Sequence, residues 1–156
     1  MQFSDWLAAT GISQLIQTTP SAIPSLQTLH ILALAALFAA ALVVALRFFG
    51  RGLASEPLHA LARRFVRLIW LLIVVLALTG ALLIIAEPHR TLGNAMFYAK
   101  MIMLLLAIIV TAWLAAVARR EHERVSVLHQ AGAAVTILLW VGIMFAGRLI
   151  AYYESF

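Results

Sequence analysis

A chain of 156 residues holds one domain and no more. Its residues are 65% hydrophobic and 11% charged, where a soluble domain carries about 25% charged, so water is not its main solvent. The net charge is +5, and the absence of cysteine excludes disulfides, thiolate metal sites and iron–sulfur clusters.

The N-terminus lacks the positive start of a signal peptide: Asp5 stands there, and the first long apolar run begins only near residue 29. Phe3 to Ile16 is too short and too polar to span a membrane. Phe3, Trp6, Leu7, Ile12, Leu15 and Ile16 recur at helix-like spacing, which predicts one short helix lying in the membrane interface. Pro20 and Pro24 break it, so residues 1–24 form an interfacial helix and linker. Ser25 is the expected N-cap of the first span, and residues 25–156 are expected to form an all-α, four-helix up-down transmembrane domain.

Crossing roughly 30 Å of hydrocarbon takes about 20 apolar residues. Four stretches qualify: about Leu29 to Leu46, Leu68 to Ala86, Met101 to Val117 and Val125 to Ala146. Buried helices of a soluble protein carry charges every turn on their outer face, whereas Leu68 to Ala86 and Met101 to Val117 hold no charged residue. Gly50, Gly52 and the Ser55-Glu56-Pro57 start signal bound the first loop. Pro88 stops the second span, and Gly93 and Asn94 open the third. Arg119 to Arg124 is a tight, charged turn. Short loops imply antiparallel neighbours, and Ala33, Ala36, Ala40, Gly80, Ala107 and Gly142 allow close helix approach in lipid.

Charge orients the bundle. Arg47, Arg51, Arg63, Arg64 and Arg67 surround the first loop and Arg119, Arg120 and Arg124 the third, eight of the 11 basic residues. The positive-inside rule places both loops in the cytoplasm and both termini on the outer, periplasmic side of an inner (plasma) membrane. The same pattern accounts for the net charge without any nucleic acid as partner.

Ionisable groups inside a span are costly and usually face a partner or cavity. His30 lies about one turn into the first span, Lys100 stands six residues after Asn94, and Arg148 interrupts the outward end of the fourth span. Three nitrogen-bearing groups from three helices thus fall at one depth, on the side where positive charge is scarce. Tyr98, Tyr152 and Tyr153 belong to the same layer, with Glu87 and His89 in the outer loop. A neutral histidine suits a haem iron or a metal, and the two cations suit propionates or another anion. The plainer readings are that Lys100 and Arg148 snorkel to headgroups, that His30 bonds a neighbour, that the tyrosines form an aromatic belt, and that Met96, Met103 and Met144 pack. His59, His122 and His129 read as solvated interface groups on the cytoplasmic side. His129 and His30 enter from opposite faces, so they cannot clamp one haem. The spans contain no serine–histidine–acid set and no paired carboxylates, which argues against a hydrolase.

Leu29-His30-Ile31, Thr79-Gly80, Asn94-Ala95-Met96-Phe97-Tyr98-Ala99-Lys100-Met101 and Gly147-Arg148-Leu149-Ile150-Ala151-Tyr152 together resemble an uncharacterised family of small bacterial four-helix membrane proteins. That family is similar in turn to the copper-resistance D membrane domain and the di-haem cytochrome b clan, with the similarity running from about residue 25 to 153. The resemblance implies a bundle that holds haem b between helices and exchanges electrons with quinone, alone or within a larger respiratory-type complex. His30 would then be an axial ligand, with Lys100, Arg148 and Tyr152 near propionates or a quinone head group and His89 reaching in from the outer loop. Cytochromes of that clan pair histidines on facing helices, and here no second intramembrane histidine stands at the depth of His30. A copper- or anion-handling protein using His30 and Met96, and a non-catalytic small subunit of a membrane complex, are the alternatives from other classes.

Overall fold

The computed structural model describes residues 3–51, 57–120 and 125–152. Seven helices follow one another there: α1 (Phe3–Ala8), α2 (Gly11–Thr18), α3 (Ala22–Phe48), α4 (Leu58–Ala86), α5 (Pro88–Leu92), α6 (Ala95–Ala118) and α7 (Val127–Tyr152). The helices α3, α4, α6 and α7 are each long and apolar enough to cross a membrane. They expose large side chains that water would not tolerate: Leu71, Leu78, Leu138 and Phe145 are each at least 60% exposed. Hydrocarbon is the solvent that such faces fit, and the chain is a multi-pass, four-helix membrane bundle.

Consecutive spans run antiparallel. The start of α3 meets the end of α4 where His30 lies by Gly80, and the start of α6 meets the end of α7 where Lys100 lies by Gly147. Helix α3 packs along both α4 and α7, and α6 packs along α7, whereas α4 and α6 touch only sparsely. The bundle therefore has one thin seam, between α4 and α6.

Local chemistry sets the helix ends. Asn94 accepts from the Met96 N–H at 2.9 Å and caps α6, as its type and place predict. Gly50, at φ 70°, ends α3 in a left-handed turn in which the N–H of Arg51 reaches Leu46 O at 2.8 Å and that of Gly50 reaches Arg47 O at 3.1 Å. Two ends differ from expectation. The N-terminal segment is two helices, because Thr10 caps a new one by accepting from the Ser13 N–H at 3.3 Å. Helix α3 begins at Ala22, ahead of Ser25. Pro24 sits in its first turn, where the missing N–H would have had no intrahelical partner, so it does not break the helix.

The interior is packed in two layers. One gathers Val44, Phe48, Leu61, Val66, Leu114 and Ala118 near the arginine-rich end, and the other Leu37, Ala40, Ile69, Ala107, Trp140 and Ile143 at mid-depth. Small residues bring the backbones close. A void of about 20 Å³, bordered by Ala41, Ala45, Ile69 and Thr111, remains between them. It has room for a water and nothing larger.

Candidate functional site

Four spans bring chemistry to one level. His30 stands eight residues after the start of α3 and Lys100 five after the start of α6. Thr79 stands seven residues before the end of α4 and Gly147 five before the end of α7. At about 1.5 Å of rise per residue, each lies roughly 8–12 Å in from the same end of the bundle.

His30 is half-buried, and its Nδ1 lies 2.8 Å from Thr79 Oγ1. The threonine hydroxyl also lies 2.8 Å from the Val75 carbonyl and 3.3 Å from that of Leu76 on the preceding turn of α4. With its one proton on a carbonyl, its oxygen would accept from Nδ1 and leave the lone pair on Nε2. Next to the ring runs the backbone of Gly80, where a Cβ would sit 3.5 Å from His30 Cε1.

Lys100 does not simply run out to the headgroups. Its ammonium lies over the α7 backbone, 3.5 Å from where a Cβ on Gly147 would be. An imidazole, a hydroxyl and a cation from α3, α4 and α6 thus stand at one level of an apolar bundle. About one turn deeper, Met103 of α6 packs against α7, with its sulfur 2.9 Å from where a Cβ on Gly142 would stand.

The other expected members lie elsewhere. Arg148, the residue after Gly147, is exposed. His89 is exposed on α5, with Nε2 3.6 Å from Asp5 Oδ1 of α1. The backbone of Tyr152 ends α7, but its side chain, like all of Tyr153, lies outside the described residues. Tyr98 is exposed and donates to the Leu92 carbonyl at 2.8 Å. No group of three or more His, Cys, Asp or Glu able to hold a metal is assembled among the described residues, so His30 offers a metal or haem iron a single nitrogen.

At the arginine-rich end, His129 departs from the expectation of a solvated group. It is 8% exposed, with ring centroids 5.5 Å from Trp113 and 6.4 Å from Phe48. Its Nδ1 accepts from the Ser126 N–H at 3.1 Å while Ser126 Oγ accepts from the His129 N–H at 3.4 Å. This is the reciprocal capping box, with histidine in the place usually held by Glu or Gln. The serine three residues ahead of His129 is the sequence signal for it. His122 lies outside the described residues.

Compared with known proteins, residues 3–153 match the model of one family, described as a family of unknown function (DUF6644). No curated protein and no solved structure matches the chain.

Proposed function

The chain belongs to the DUF6644 family, and on that premise we propose that it is a membrane redox protein that binds a quinone head group at His30 and Lys100. The observation that carries this reading is an imidazole and a cation from two spans at one level of an apolar bundle, with the imidazole held by Thr79. Nε2 of His30 accepts from the O–H of a quinol, and the Lys100 ammonium donates to the carbonyl oxygen of a quinone. Quinone and quinol differ by two electrons and two protons. His30 is the group on this chain that takes up or returns one of the two protons at a ring oxygen, and the other exchanges with water at the same end of the bundle. The quinone carries the electrons, to or from a partner protein of a respiratory-type complex. By the positive-inside rule the arginine-rich end faces the cytoplasm and the His30 end lies toward the periplasm.

Haem b fits these residues less well. His30 would serve as one axial ligand, because a ligating imidazole has its other nitrogen tied to a neighbour. The remaining described histidines give no second one: His59 and His129 belong to the far end, and His89 is exposed beside Asp5.

The test is a titration of the full chain in lipid nanodiscs with a short-chain quinone, read by quenching of tryptophan fluorescence. Wild type binds, and His30→Ala and Lys100→Met each weaken binding by about tenfold or more. Equal affinity in all three would overturn the reading. An absorption spectrum as isolated and after dithionite checks the other occupant: a Soret band that disappears in His30→Ala would replace quinone with haem.

A further inference from the structure

A second cluster of charge lies at the opposite end of the bundle and plays no part in the site above. His59, Arg63 and Arg67 recur every four residues along α4, and Trp70 follows three later, so the four share one stripe of the helix. Arg119, the C-cap residue of α6, stands across from them. These five residues line one cleft where α4 and α6 touch sparsely. Its volume of about 510 Å³ falls in the roughly 300–1,000 Å³ range of ligand pockets.

The cations on α4 are placed against local electrostatics. Helix α4 begins at Leu58, so His59 and Arg63 occupy its first two turns, where the helix dipole is positive and favours anions. The described carboxylates, Asp5 and Glu87, both belong to the other end of the bundle, and neither pairs with Arg63, Arg67 or Arg119. Glu56, Glu121 and Glu123 lie outside the described residues, and a stripe of cations at the positive end of a dipole attracts an anion. Guanidinium groups match the oxygens of a phosphate two at a time. The indole of Trp70 marks the level at which headgroup meets hydrocarbon, and its ring packs partly against the core.

We propose that the cleft of His59, Arg63, Arg67, Trp70 and Arg119 binds a phosphate, that of an anionic phospholipid headgroup in the leaflet at the arginine-rich end. The bound lipid closes the seam between α4 and α6 at that end, its phosphate held by the arginines and its chains lying along the apolar part of α4.

The experiment uses the full chain, delipidated in detergent, with phosphatidylglycerol, phosphatidylcholine or inorganic phosphate added, and reads bound mass by native mass spectrometry and thermal stability by fluorescence. Phosphatidylglycerol is expected to bind and to raise the melting temperature, with Arg63→Gln/Arg67→Gln weakening it by about tenfold or more. Arg51→Gln/Arg64→Gln removes the same charge outside the cleft and is expected to leave binding within about twofold of wild type. If the cleft pair fails to fold, Arg119→Gln takes its place. Equal losses in both pairs would reduce the effect to general surface charge and overturn the site, as would no loss in either. Stabilisation by inorganic phosphate that competes with the lipid would overturn the lipid as the source of the anion.

Discussion

The hydroxyl of Ser13 donates to the main-chain carbonyl of Ile85 at 2.7 Å, joining two residues 72 positions apart. Helix α4 ends at Ala86, so its last carbonyls have no donor within the helix. Helix α2 supplies them. Gln17 donates to Ala86 O at 2.8 Å and to Ser13 Oγ at 3.1 Å, and Ser13 is fully buried. The short helix outside the bundle thus caps the helix that carries Thr79, two turns from the ring of His30.

Removing that cap leaves a buried carbonyl without a partner, which costs about 1–3 kcal/mol. Ser13→Ala and Gln17→Ala are each expected to lower the melting temperature in detergent and to speed amide exchange across residues 11–18. Unchanged exchange in both variants would mean that α2 is held by apolar contact alone.

Thr79→Val keeps the shape of the side chain and deletes the oxygen that holds Nδ1 of His30. The imidazole should then lose its single tautomer, seen as a change in its ¹⁵N shifts by NMR. Quinone affinity should fall by about tenfold, while Thr79→Ser restores both signals. A Val variant with wild-type shifts would show that another group orients the ring.

Two glycines in the spans make a contrast. A Cβ at Gly132 would collide with Cζ3 of Trp113, a ring already in contact with His129, whereas a Cβ at Gly80 would meet His30 Cε1 at an ordinary 3.5 Å. Gly132→Ala is expected to destabilise by about 1–3 kcal/mol through overpacking, and Gly80→Ala to be tolerated. Thermal melts of the pair decide it, and a neutral Gly132→Ala would show that the α6–α7 contact yields easily.

The cap of α7 is tested by two substitutions at one position. His129→Leu retains apolar volume and removes the acceptor for the Ser126 N–H, at a cost of about 1 kcal/mol. His129→Gln, the usual residue of a capping box, should recover most of it. If Gln is as damaging as Leu, His129 serves packing between Phe48 and Trp113 rather than the cap.

The sequence by itself determined the four spans, their alternation and the caps that need only neighbours in the chain. An apolar run of about 20 residues can satisfy its backbone in lipid only as a helix, and Asn94 and Gly50 act within one turn of where they stand. Even here two ends shifted, because the split at Thr10 and the start of α3 at Ala22 depend on which N–H groups find acceptors.

Tertiary structure alone decided which polar groups meet. Thr79 stands 49 positions from His30, and no periodicity in either segment pairs them. Both the contact of His30 with Thr79 and the turn of Lys100 over Gly147 follow from how α3, α4, α6 and α7 pack. That packing also separated groups which looked alike in the sequence. Lys100 and Arg148 are cations at similar depth, yet one is half-buried and the other exposed. His129 is buried between two aromatic rings, and His89 faces Asp5 at the surface. The reason is physical: hydropathy fixes how deep a residue lies in the membrane, but only helix rotation and packing fix the direction it faces.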